Sequence, residues 1–163
     1  KENQISGVRE NIISPFIEGL FKDQADEPKR IVLNGHDLKF IGEFESYLKS
    51  KGHLVKRDKW GWGEPLDLDR SKALIKWAEV VFSEWGLANS VWYSNNISDE
   101  QTHVVRIHLQ EVNERARIFP INIEKKSVDK FVFVAEHVQS EAIDLFDWEP
   151  ESTIVIPNFV DID

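Results

Sequence analysis

Phe131-Val132-Phe133-Val134, followed by a helical run from His137 to Phe146 and then by Thr153-Ile154-Val155-Ile156, decides the fold. Four consecutive β-branched or aromatic residues read as a strand buried on both faces. A strand, a helix of about ten residues and a second apolar strand make a βαβ unit with parallel strands.

The same alternation extends toward the N-terminus. Val104-Val105-Arg106-Ile107 reads as a strand, and Val80-Val81-Phe82 as a buried one. Between them, residues 87–95 read as a short helix, and residues 121–128 after the fourth strand as another. Asp69 is placed to cap a helix carrying Ala73, Leu74 and Trp77. Leu54-Val55 starts a strand that ends near Asp58. Phe40, Ile41, Phe44, Tyr47 and Leu48 form an amphipathic helical stripe, closed by Gly52 as C-cap. Ile31-Val32-Leu33, ending in Asn34-Gly35, is the first strand. Six strands alternating with helices predict an α/β, doubly wound, Rossmann-like and mostly parallel sheet with helices on both faces.

Residues 1–30 stand outside this alternation. Ser14-Pro15 opens an expected helix with Phe16, Ile17, Leu20 and Phe21 on its apolar face, and residues 22–30 read as a linker. The 163 residues suffice for one domain with a sizeable core. Hydrophobic residues make up 41% and charged residues 30%, ordinary for a globular chain. No apolar run has the length of a membrane span, and no signal peptide is visible, so a cytoplasmic location is expected. With no cysteine, thiolate chemistry and disulfides are excluded. A net charge of −9 without a basic run argues against nucleic acid as a partner.

In open parallel sheets, ligands bind beyond the carboxyl ends of the strands. The residues expected there are His36, Asp37 and Lys39 after the first strand, and Trp60 and Trp62, separated by glycine, after the second. Glu84 and Trp85 follow the third strand, His108, Gln110 and Glu111 the fourth. Indole faces suit the C–H faces of sugars and also nucleobases. The glycine-rich dinucleotide fingerprint, the P-loop and the Gly-x-Ser-x-Gly elbow are all missing. His103 and His108 would project to opposite faces of one strand, poor geometry for a shared metal, and no metal is expected.

Four segments carry a resemblance. They are Trp-Ala-Glu-Val-Val-Phe-Ser-Glu-Trp-Gly-Leu-Ala-Asn-Ser-Val-Trp-Tyr at 77–93, Val-Val-Arg-Ile-His-Leu-Gln-Glu at 104–111, Phe-Val-Phe-Val-Ala-Glu-His-Val at 131–138, and Ile156-Pro157-Asn158-Phe159-Val160-Asp161. Together they resemble the N-terminal domain of group 1, family 4-like glycosyltransferases of the GT-B fold. The resemblance covers roughly residues 31–163, and Gly35-His36-Asp37-Leu38-Lys39-Phe40 fits it as an opening turn.

The resemblance implies one half of a GT-B fold, the acceptor side, ending at the interdomain hinge with Asn158 capping the turn. The C-terminal donor domain would be absent, and the domain would carry no cofactor of its own. A nucleotide-sugar donor is expected in the full-length enzyme, with a sugar or glycan acceptor as partner. His108 matches the family's cleft histidine and is expected to be catalytic, with Glu111 orienting it or binding an acceptor hydroxyl. Asp37, Lys39, Trp60, Trp62, Glu84, Trp85 and Asn89 are expected to bind substrate. The Gly-Gly loop that family members often carry after the first strand is replaced by His36-Asp37-Leu38-Lys39. Two alternatives stand beside the transferase: a non-catalytic module of the same fold binding glycan or protein, and a GT-B-fold epimerase.

Overall fold

A computed structural model describes residues 27–63 and 66–157. The expected helix at Ser14-Pro15, and Asn158 with the rest of the hinge run, lie outside the described residues. Six strands form one sheet: β1 (Arg30–Gly35), β2 (Leu54–Lys59), β3 (Val80–Glu84), β4 (Thr102–Ile107), β5 (Lys130–Phe133) and β6 (Thr153–Val155). Their order is β2-β1-β3-β4-β5-β6, and every neighbouring pair is parallel. The doubly wound α/β fold expected from the strand alternation is therefore present.

Parallel pairing requires crossovers, and helices supply most of them. They are α1 (Gly42–Ser50), α2 (Leu68–Trp77), α3 (Ala88–Ser94), α4 (Leu109–Val112) and α5 (Glu136–Phe146). Strand alternation sorts the core by face. Ile31, Leu33, Val80 and Phe82 pack with Ile41, Phe44 and Leu48 around α1. On the opposite face, Val32 and Val81 pack with Leu74 and Ile75 of α2 and with Tyr93 of α3. Phe131 and Phe133 join Val138, Ala142 and Phe146 of α5 on that second face, closed by Trp148 stacked on Phe131 at 3.9 Å.

Strand burial explains which strands read clearly. Every residue of β3 is buried, as are the last five of β1. The edge strand β2 is largely open, and Lys56, Arg57 and Lys59 keep it from pairing with a further strand.

Local details depart from the sequence in three places. The side chain that caps α2 is Asp67, which accepts from the Arg70 N–H at 3.0 Å; Asp69 instead sits in the first turn. Residues 121–128 do not form one helix. Two short 3-10 turns, Pro120–Asn122 and Lys125–Ser127, flank the buried Ile123, and Glu124 restarts the chain by accepting from the Lys126 N–H. At α1, Gly52 lies one position past the cap. Its φ of +89° lets its N–H reach Lys49 O while the His53 N–H reaches Leu48 O, a Schellman closure.

Gly35 ends β1 where the chain must lie close to β3. A Cβ there would sit 2.6 Å from the backbone oxygen of Glu84. Gly35→Ala is therefore expected to cost about 1–3 kcal/mol, because two paired strands must separate. The urea midpoint measures it, and an unchanged midpoint would show that the strands yield freely.

Candidate functional site

The chain leaves β1 toward β2 on one side, and β3 lies on the other. The switch point of this sheet is thus between the β1 and β3 loops, where doubly wound folds bind ligands. A cleft of about 680 Å³ opens there. His36 after β1, Gly61-Trp62-Gly63 after β2 and Leu87-Ala88 after β3 form one side. Gln110, Asn113, Glu114, Arg115, Ala116 and Phe119, following β4, form the other.

The loop after β2 is anchored at one end and open at the other. Trp60 is only 3% exposed, its N–H bonds to Gly35 O at 3.0 Å, and its indole N–H donates to Asp58 Oδ2 at 3.0 Å. Trp60 is therefore a core residue rather than a substrate-binding one; both flanking strands hold it inward. Trp62 is 64% exposed and tilted against His36, with ring centroids 4.6 Å apart. Burial holds the His36 imidazole below its ordinary pKa, against the raising effect of the Gly61 and Trp60 carbonyls. His36 is thus neutral at pH 7.

A second cluster lies at the ends of β3 and β4. Glu84 is fully buried. It accepts from Arg106 Nη1 at 3.1 Å and from His108 Nε2 at 2.9 Å. The His108 ring stacks under Trp85 at 4.0 Å, with Phe40 5.9 Å away, and is 6% exposed. Trp85 adopts φ +74°, a left-handed conformation costly for an aromatic residue. It is held there by its indole N–H donating to Asp37 O at 2.9 Å and by Ser90 Oγ donating to its carbonyl at 2.7 Å.

Glu111 is also fully buried. One carboxylate oxygen accepts from the Gly86 N–H at 2.8 Å and from the His108 N–H at 3.3 Å, clamping the loops after β3 and β4 together. Its other oxygen has no hydrogen-bond partner. Burial pushes the carboxyl up to about 7, opposed by those N–H groups and aided by the Glu84 charge.

The expected site residues therefore fall into separate places. Of the residues expected beyond the strand ends, His36, Trp62 and Gln110 line the cleft, and of those expected to be catalytic or to bind substrate, Trp62 alone does. Glu84 and Glu111 are buried inside the fold, where Glu84 is held by Arg106 and His108 and one oxygen of Glu111 by two backbone N–H groups. Asn89 is likewise fully buried. Its amide nitrogen donates to Asn34 Oδ1 and Glu84 O, so it braces the strand ends instead of reaching a substrate. Asp37 accepts from the Lys39 N–H at 3.1 Å and pairs with its ammonium at 2.8 Å, which holds the carboxyl below the usual range. Lys39 also lies over the Phe40 ring. His108 and Trp85 are held together with Phe40 beside, not within, the cleft. Asn113, Glu114, Arg115, Ala116 and Phe119, which also line the cleft, carry no strand or helix signal in the sequence and were not expected there.

Glu111 sets a pH dependence. A carboxyl raised in the folded state to about 7 binds its proton there while the unfolded chain, near 4.5, has lost it. Its contribution is most favourable below about 4.5 and declines as pH rises through about 7, then levels off. Glu111→Gln is expected to remove that decline, gaining on the order of 2 kcal/mol relative to wild type between pH 5 and pH 8. Urea titrations at both pH values measure it; parallel curves for the two proteins would contradict it.

Fold and cleft together define a doubly wound α/β domain with a cleft at its topological switch point. Compared with known proteins, the chain matches no family model, no curated protein and no solved structure. Among the described residues, no helix is long and apolar enough to cross a membrane, and no three His, Asp or Glu residues are grouped as a metal site.

Proposed function

We propose that this domain is the acceptor-side half of a glycosyltransferase that moves a sugar from a nucleotide-sugar donor to an acceptor. The observation that carries the reading is the switch-point cleft with Trp62 exposed beside polar side chains, the lining a hydroxylated ring needs. The four resembling segments point the same way. On this reading a second domain holds most of the donor, and the enzyme works in the cytoplasm. The 163-residue chain alone is expected to transfer no sugar, because half of the catalytic cleft is missing. The test is nucleotide-sugar turnover by the polypeptide extended through its donor-binding half. Absence of turnover with every common sugar nucleotide, or robust turnover by this domain alone, would contradict the proposal.

The enclosure of His108 favours a second reading. A ring 6% exposed, bonded to Glu84 and covered by Trp85, supports the fold more readily than it reaches a donor sugar. A non-catalytic glycan-binding module with this cleft fits that geometry. His108→Ala in the extended protein separates the two. Loss of turnover with intact folding supports the transferase role, and normal turnover removes His108 from the chemistry.

A further inference from the structure

We infer that the cleft takes an amphipathic glycoside, with its sugar ring in contact with Trp62 and an apolar aryl or short alkyl aglycone against Leu87, Ala116 and Phe119. That such a glycoside serves as acceptor rests on the transferase reading; its binding does not.

Two groups of side chains in the lining offer a ligand different surroundings. Trp62, on the loop after β2, is 64% exposed, so a sugar ring against it keeps hydroxyls in water. Leu87, Ala88, Ala116 and Phe119 carry no side-chain hydrogen-bonding group. Leu87 and Ala116 are buried and Phe119 is half-buried, so a ligand group placed against them loses its water. An apolar group gains by that transfer, and a hydroxylated one loses.

Local packing brings those four apolar residues together. Gly86, just before Leu87, lies so near Ile123 that an added Cβ would sit 3.7 Å from the Ile123 Cδ1. At the other end of α3, Ser94 Oγ accepts from the Glu124 N–H at 3.0 Å, and Ser127 Oγ donates to Ser94 O at 2.6 Å. The helix is therefore laid along the segment that follows Phe119, and its Leu87-Ala88 end shares the cleft with Ala116 and Phe119. Ile118 and Ile121 of that segment are 61% and 62% exposed, so it carries more apolar surface than the fold itself covers. Glu114 and Arg115 are the charged residues of the lining, one of each sign, and His36 is neutral. The lining thus has no net charge to hold a phosphate, and a neutral ligand with one polar and one apolar end matches it.

The test uses the 163-residue protein with matched methyl and phenyl glycosides of glucose, galactose and mannose, and with uridine monophosphate as a charged probe. Ligand-observed NMR and calorimetry report binding. At least one phenyl glycoside is expected to bind about ten-fold tighter than its methyl partner. Phe119→Ala should cut that preference to about three-fold or less and leave the methyl glycoside unchanged. Trp62→Ala should weaken both members of a pair alike, by about five-fold or more, and keep the preference. The preference is a ratio within one protein, so a partly unfolded variant still reports it. If Phe119→Ala does not fold, contacts between the ligand's phenyl protons and the Phe119 ring, read by NMR in the wild type, replace it. Equal binding of methyl and phenyl partners would overturn the inference. So would a preference lost in Trp62→Ala but kept in Phe119→Ala, no phenyl contact at Phe119, tighter binding of uridine monophosphate, or binding of no glycoside. The two readings fail separately. Turnover by the extended enzyme with equal kcat/KM for methyl and phenyl acceptors would overturn this inference and leave the transferase. A phenyl preference that needs Phe119, without any turnover, would leave this inference and overturn the transferase.

Discussion

Asp58→Ala is expected to destabilise the domain by about 3–6 kcal/mol, a large share of the roughly 5–15 kcal/mol that holds a domain of this size folded. Asp58 is 3% exposed on β2. Its Oδ2 accepts from three side chains: Trp60 Nε1 at 3.0 Å, Ser71 Oγ at 2.6 Å and Tyr93 OH at 2.8 Å. Removing the carboxylate leaves the buried Trp60 and Tyr93 donors unsatisfied, each costing about 1–3 kcal/mol, and leaves Ser71 Oγ only the Asp67 carbonyl at 3.4 Å. Burial and the Asp58 charge both push the Tyr93 phenol far above its ordinary pKa, so it remains a donor throughout the accessible pH range. Asp58→Asn keeps one acceptor oxygen and should lose less than Asp58→Ala. Urea midpoints measure both, and a loss below about 1 kcal/mol for the alanine variant would show that the network is not carrying the fold. Because Trp60 anchors the loop that presents Trp62, the alanine variant should also weaken sugar binding in whatever fraction remains folded.

Glu84→Ala should cost about 3–5 kcal/mol by removing the carboxylate that compensates Arg106 inside the sheet end. Arg106 is 11% exposed in its side chain and Glu84 fully buried, so water cannot readily replace the pair. Glu84→Gln keeps hydrogen-bonding capacity and should lose less. The His108 ring is the sensitive reporter: with Glu84 replaced by alanine, its Nε2 loses a partner at 2.9 Å and its ¹⁵N signals should show a mixture of tautomers. Stability within about 0.5 kcal/mol of wild type, with an unchanged His108 spectrum, would contradict the described pairing.

The strands were legible because a parallel sheet buries them on both faces. Val80-Val81-Phe82 and Phe131-Val132-Phe133 are continuous apolar runs for that reason. The edge strand β2 was harder to delimit, since Lys56, Arg57 and Lys59 face water. Residues 121–128 misled because Ile121 and Ile123 fall within a polar stretch that looks helical. Ile123 is buried by the chain around it, whereas Ile121 is 62% exposed.

The site was legible only as an edge of the sheet. Sequence order placed Glu84, Trp85, His108 and Glu111 at strand ends, and they are there. It could not show that the carboxylates are consumed internally, because that depends on Arg106 and on two N–H groups reached only after folding. Trp60 and Trp62 look equivalent in sequence. The period of the backbone and the Asp58 carboxylate send the first inward, and the glycines around the second leave it outside. His36 could be read as one polar residue among several after β1. Only the fold shows that its ring lies against Trp62 and its Nδ1 beside Gly61 O.

The most direct test of the switch-point cleft as a sugar site is a crystal structure of this domain soaked in the sugar that binds best in solution. The account predicts a sugar ring bound in the cleft in contact with Trp62. A ring bound instead over Phe40 and His108, or a cleft closed by Trp62 packing inward, would contradict it.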